Sequence, residues 1–271
     1  MAVLECVVNI SEGRDIALLA GLAEVVSGDL LDVHTDPDHN RSVFTLVGEW
    51  APRDLARLAV GRLSIGSHDG VHPRLGVVDV VPFVPLVGST MADAERARDE
   101  FASWVSTELS VPSFLYGTGR TLPHIRAHAW KDLGPDTGPT SPHPTAGAVC
   151  VGARMPLVAY NVWLRGATVG TAREIAREVR TEHIRTLGLQ VGELTQVSMN
   201  LVSPAIAGPV QAFDSVAESA TRRNIGILHA ELVGLLPADV LDGIPEGRWE
   251  ELDLSADRTI ESRLKARGIS R

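Results

Sequence analysis

Residues 3–48 read VLECVVNISEGRDIALLAGLAEVVSGDLLDVHTDPDHNRSVFTLVG, and the architecture follows from this stretch outward. Val3–Ile10 is rich in Val and Ile, as strands are. Asp15–Ser27 sets Ile16, Leu19, Leu22, Ala23 and Val26 at helical spacing. Leu30–His34 and Ser42–Gly48 read as two short strands. The polar run Thr35–Arg41 between them reads as a loop, with Pro37 and Asn40 as turn residues. Arg53–Leu63 then presents Leu55, Leu58, Ala59 and Leu63 on one helical face, and Gly76–Val84 is an apolar run of strand type. The order is βαββαβ, the ferredoxin-like pattern.

Further on, Thr90–Leu109 is a helix that Thr90 and Asp93 open as a capping box, and Val111–Tyr116 is a strand. The polar stretch Gly117–Gly147 is too long for an idle connection, so it is functional or mobile. The second half repeats the element order. Leu157–Leu164, Leu187–Val191, Gln196–Val202 and Ile227–Leu235 read as strands, and Thr171–His183 and Val210–Arg223 as helices. The expected fold is α/β (α+β), with two ferredoxin-like βαββαβ subdomains meeting near Arg154–Leu157. No amino-acid repeat accompanies the repeated order. The charged tail from Gly243 onward reads as a solvated, partly helical segment.

The 271 residues are 44% hydrophobic and 22% charged, which is ordinary for a globular protein and enough for a large core without staples. Two cysteines, Cys6 and Cys150, exclude a disulfide framework and fit a reducing, cytoplasmic setting. The net charge of -9 argues against general nucleic-acid binding. The start carries no basic, apolar leader, and no run of apolar residues is long enough for a membrane span.

Polar residues concentrate in Asp32–Arg41, in His68–Gly76 and at the end of the Gly/Pro stretch, up to Arg154. His72 is the best candidate for chemistry. An imidazole takes or releases a proton near neutral pH, and Pro73 restrains the backbone that carries it. Asp69 and Arg74 lie close enough in sequence to set its charge. Arg41, Arg74, Arg126 and Arg154 are candidate carboxylate partners, because a guanidinium fork binds a carboxylate bidentately. His34, Asp36, Asp38, His39, His68, Asp69 and His72 are all metal-ligand types, but their spacing fits no standard site, so no metal is expected. Gly117-Thr-Gly119 lacks the third glycine of a dinucleotide fingerprint. No P-loop or GxSxG elbow occurs, and both cysteines read as packing.

Taken together, the segments ECVVNISEGRD (5–15), LLDV…NRSVFTLVG (30–48), HDGVHPRLGVVDVVPFVPL (68–86), VPSFLYG (111–117), PDTGPTSPHPTAGAVCVGAR (135–154), AYNVWL (159–164), QVSMNL (196–201) and ELVGL (231–235) resemble the formiminotransferase family. The resemblance makes 1–156 the N-terminal subdomain and 157–271 the C-terminal one, facing each other across a substrate tunnel, in a homodimer. It implies transfer of a formimino group from N-formimino-L-glutamate to N5 of tetrahydrofolate, in histidine breakdown, with folate as co-substrate and no metal. Neither nucleic acid nor membrane is implied as a partner. The family's catalytic histidine falls on His72. Its folate-contacting loop falls on Gly138, Pro139, Thr140, Ser141, Pro142, His143, Pro144, Thr145, Ala146 and Gly147.

His34 stands where members commonly carry an acidic residue that assists the histidine; Asp36 or Asp69 would have to substitute. Arg41, Arg74 and Arg154 are the candidates for holding the donor's carboxylates. The departures at His34, Asp69 and Ala146 leave open a folate-binding relative that uses another one-carbon donor such as formylglutamate, interconverts folates, or binds folate without turnover. A metal-dependent hydrolase is the remote alternative. His34→Asp is expected to keep or raise transfer from the formimino donor in a steady-state assay; a large loss would point to a different donor.

Overall fold

The computed structural model describes residues 2–269, which form two compact units, one running to Met155 and the other starting at Pro156. In the first, β1 (Leu4–Ile10), α1 (Ile16–Val25), β2 (Leu30–Asp36), β3 (Arg41–Val47), α2 (Ala51–Arg62) and β4 (Val78–Pro85) make the βαββαβ unit. It is followed by α3 (Met91–Glu108), β5 (Ser113–Tyr116), α4 (Leu122–His128) and β6 (Val149–Ala153). The strand order is β2-β3-β1-β4-β6-β5. The first four strands pair antiparallel, and β4, β6 and β5 pair parallel. Alternation places Cys6, Val8 and Ile10 with Phe44 and Leu46 on one sheet face, where they pack with Leu22, Leu55 and Phe101 from the helices. The expected cap on α3 is present: Thr90 Oγ1 accepts from Asp93 N at 3.2 Å, and Asp93 Oδ2 accepts from Thr90 N at 2.8 Å.

The second unit comprises β7 (Val158–Arg165), α5 (Val169–Val179), β8 (Ile184–Val191), β9 (Leu194–Leu201), α6 (Pro209–Thr221), β10 (Gly226–Val233), α7 (Ala238–Asp242) and α8 (Ile260–Ala266). Its strand order, β10-β7-β9-β8, is the same as β4-β1-β3-β2 of the first unit. Tyr160, Val162, Val197 and Met199 face Ile175 and Val216 in the core. Gly188 lets α5 lie directly on β8, because a Cβ there would meet Arg173 N at 2.3 Å.

Four expectations need correction. The first sheet holds one strand more than the five read from the sequence, because β6 inserts between β4 and β5. Buried on both faces, β6 shows no alternation, and its Gly152 is needed because the Tyr116 ring crosses it: a Cβ would stand 2.2 Å from that ring. The stretch 117–147 is not all loop, since it holds α4; with Ile125 as its one buried residue, that helix has no periodic stripe to read. Thr35 and Asp36 belong to β2, and Arg41 opens β3.

The tail is not a solvated segment. Ile244, Leu252 and Leu254 belong to the second core, and Ile260 and Leu264 are buried too. Tyr160 Oη donates to the Leu252 carbonyl at 2.9 Å, and Leu232 N donates to Asp253 Oδ2 at 2.8 Å. Ile244, Leu252 and Leu254 flank short 3₁₀ turns, so neither strand nor helix periodicity reveals them. Leu252→Ala is therefore expected to lower unfolding free energy by about 2–4 kcal/mol in urea denaturation. A solvated tail would show no change.

Candidate functional site

The end of β1, the β2–β3 hairpin and the loop before β4 converge in the first unit. The hairpin turns through Asn40, whose φ of 48° lies in the left-handed region that Asn tolerates. Its Oδ1 accepts from Gly13 N at 2.9 Å, its Nδ2 donates to the Asp69 carbonyl at 2.8 Å, and its own carbonyl accepts from His68 Nε2 at 2.8 Å. Glycines permit the close approach. A Cβ at Gly13 would stand 2.2 Å from the Asp36 carbonyl oxygen, and one at Gly70 2.5 Å from that of His39.

Arg74 holds the loop from inside. Nη1 donates to the carbonyls of Gly70 and His72 at 3.0 and 2.9 Å, and Nη2 to that of His68 at 3.2 Å. Its fork is thus occupied with backbone rather than offered to a ligand. Ser11 ties down the loop's far end, with Oγ donating to the Gly76 carbonyl at 2.8 Å. Asp79 is an extra residue of β4, between Val78 opposite Ile10 and Val80 opposite Asn9. Its buried carboxylate accepts from Leu75 N at 2.8 Å and from Arg126 Nη2 at 2.6 Å. Arg126 is therefore a partner of the protein's own acid.

A small crevice lies at this junction, lined by Ser11, His39, Asn40, Arg41, His68, His72, Arg74 and Asp79. Arg41 Nη2 donates to Asn9 Oδ1, while Arg41 Nε is buried and unpaired. The His72 and His39 rings meet edge to face, with centroids 6.2 Å apart. Burial, then the charges of Arg41, Arg126 and His39, push the His72 imidazole far below its usual proton affinity, so the ring is neutral. Burial likewise lowers Arg41 to about 10, opposed by Asp79 and Asp36. Arg41 keeps its charge at neutral pH.

The structure brings His72, Arg41 and Arg74 to the crevice lining, with Arg126 and Asp36 close enough to act on them by charge, and leaves Asp69, His34 and Arg154 outside the lining. Asp69 is exposed, its Oδ1 taken by Arg14 Nη1 at 2.5 Å. Asp36 Oδ1 closes the hairpin by accepting from Asp38 N and His39 N, both at 2.8 Å. His34 lies on the edge strand β2 opposite Val43, outside the crevice lining. Arg154 follows β6 at the other end of the sheet. From Val78 to Phe83, opposite Ala153, the strand rises roughly 17 Å.

The stretch Gly138–Gly147 does not line the crevice but is fastened beside it. Val77 N donates to the Ala146 carbonyl at 3.0 Å, Ala148 N to that of Leu75 at 3.0 Å, and Ile65 N to that of Thr145 at 2.7 Å. Gly147 has φ +72°, and a Cβ would stand 2.3 Å from the Leu75 carbonyl oxygen. Residues 138–142 are exposed.

Sequence reasoning missed Asn40, Ser11 and Asp79 as site residues. Asp79 carried a signal, since a carboxylate inside VVDVVPFVP must find a buried partner. Burial raises the proton affinity of both thiols, Cys6 and Cys150, as expected of packing residues. Among the described residues, no group of three or more His, Cys, Asp or Glu side chains is placed to hold a metal ion.

The formiminotransferase domain, N-terminal subdomain, matches residues 3–154, and the formiminotransferase domain matches residues 159–245. A glutamate formimidoyltransferase of Streptococcus pyogenes is 34% identical over 90% of this chain and 92% of its own length. One of Thermoplasma acidophilum is 32% identical over 89% and 90%. A formimidoyltransferase-cyclodeaminase of Sus scrofa is 32% identical over 88% of this chain and 51% of its own length, so this chain spans about half of that relative.

A neutral, half-buried His72 has a consequence for stability. The unfolded chain takes up a proton below about pH 6.5 and the folded one does not, so stability falls as pH drops through that value. Between pH 7 and pH 5 the wild type is expected to lose about 2 kcal/mol more than His72→Asn in urea denaturation. Equal losses would show that the ring titrates in the fold.

Proposed function

This chain belongs to the formiminotransferase family, and from that premise we propose that it moves the formimino group of N-formimino-L-glutamate to N5 of tetrahydrofolate, with His72 as general acid and base. The observation that carries the reading is the neutral imidazole of His72 at a crevice that also holds Arg41, in a chain 34% identical to a curated glutamate formimidoyltransferase.

The chemistry needs one proton moved between two amines. N5 attacks the formimino carbon and a C–N bond forms. N5 then carries a proton it must lose, and neutral His72 accepts it. The glutamate nitrogen gains a proton from the resulting imidazolium as its bond to carbon breaks. The cations that depress His72 also supply a control. A donor carboxylate set against Arg41 offsets that charge, so the ring becomes more basic when the donor is in place.

We assign tetrahydrofolate to Gly138–Gly147. The support is that this segment's end is hydrogen-bonded to Leu75 and Val77, a few residues from His72. Arg41 is assigned to a donor carboxylate; Arg74 positions the loop instead. A reducing, cytoplasmic setting and a homodimer complete the reading. Both buried cysteines are free thiols, which supports the first, and sedimentation equilibrium tests the second. No described helix is long and apolar enough to cross a membrane.

His72→Ala is expected to lower transfer at least about 100-fold, measured by the folate absorbance change, while tetrahydrofolate binding stays measurable by calorimetry. Transfer at the wild-type rate would remove His72 from the mechanism. Folate binding by a wild-type chain that transfers from no donor would leave a binding protein.

A further inference from the structure

We propose that His68 selects the donor, its Nδ1 accepting a hydrogen bond from the formimino nitrogen and disfavouring a formyl oxygen at the same place. This rests on the reading of the chain as a formimino transferase.

The argument begins with a tautomer. His68 Nε2 lies 2.8 Å from the carbonyl oxygen of Asn40. A carbonyl offers only lone pairs, so Nε2 must carry the hydrogen, and in the neutral ring Nδ1 presents a lone pair. That atom is buried and has no partner in the protein, although the residue lines the crevice beside His72 and Arg41. The ring's setting is held on both sides. Arg74 binds the His68 carbonyl at 3.2 Å, and the Asn40 side chain binds the next carbonyl, that of Asp69, at 2.8 Å. Rotation to present the other nitrogen would break the Asn40 bond and leave a buried carbonyl unpaired.

A fixed acceptor in this place distinguishes two otherwise similar donors. The formimino group carries N–H on the nitrogen doubly bonded to carbon. A formyl group carries an oxygen there, with lone pairs and no hydrogen. During transfer that nitrogen takes up the π electrons as N5 adds, and returns them as the glutamate nitrogen leaves. It keeps its N–H throughout, so His68 Nδ1 holds it in both stages without exchanging a proton. A formyl oxygen would set lone pair against lone pair, and rejection by mismatched polar groups is stronger than rejection by shape.

The test uses the full chain as wild type, His68→Ala and His68→Asn, the last of which returns an amide oxygen near the position of Nδ1. Two quantities are read: kcat/KM for formiminoglutamate, and the inhibition constant of N-formyl-L-glutamate as a competitor. His68→Ala is expected to lower kcat/KM about 10- to 100-fold while leaving formylglutamate inhibition unchanged or tighter, and His68→Asn to recover part of the loss. An equal loss for both ligands, or no loss for either, overturns the proposal and leaves the functional reading standing. A folded wild type that does not transfer from formiminoglutamate overturns both. Where His68→Ala fails to fold by circular dichroism, His68→Leu, which fills the space without an acceptor, takes its place: a lowered preference for formiminoglutamate over formylglutamate supports the proposal, and a wild-type-like one overturns it.

Discussion

One asparagine in the left-handed region ties the candidate site together. Asn40 bonds Gly13, Asp69 and His68 at once, and these belong to segments separated by tens of residues in the chain. Its side chain is short enough to reach both backbone partners while its own carbonyl turns toward an imidazole. Asn40 itself is buried, so losing any of these bonds would leave a polar group unpaired. Gly13 and Gly70 supply the required closeness, since a side chain at either position would collide with backbone. The geometry of the crevice is thus set by backbone–side chain bonds more than by apolar packing.

Charge decides the behaviour of the groups held there. Arg41 and Arg126 stand near His72, and the buried acid among them, Asp79, is committed to Arg126 and to Leu75 N. Burial first, and then the surplus of positive charge, keeps the His72 imidazole neutral, and that surplus favours an anionic ligand although the chain as a whole is acidic. At His68 the Asn40 carbonyl specifies that Nε2 carries a hydrogen.

Much of the architecture was legible wherever one face of an element is buried and the other is not. α5 buries Ala172, Ile175, Ala176 and Val179 on one side, Thr90 and Asp93 cap their helix, and the element order of both halves reappears in the two matching strand orders. What escaped shares a physical feature. β6 is covered on both sides, α4 buries only Ile125, and the tail's Leu252 and Leu254 lie between 3₁₀ turns. None of them has a period to detect. In the site, the run from His68 to Arg74 stood out as polar residues ahead of an apolar strand. The separate fates of Asp69, turned to Arg14, and of Arg154, at the far end of the sheet, depend on register and were invisible.

By itself, the sequence determined which residue types were available and the order of the elements, because periodicity and capping act over a few residues. It also marked family membership through motifs spread along the chain. Only the tertiary structure decided which of those residues meet. Arg74 reads like a ligand-binding arginine until its fork is seen holding three carbonyls, and His68 reads like a spare histidine until Asn40 sets its tautomer. Hydrogen-bond partners and burial are long-range properties, and they convert a list of ionisable side chains into a site with a defined proton and charge state.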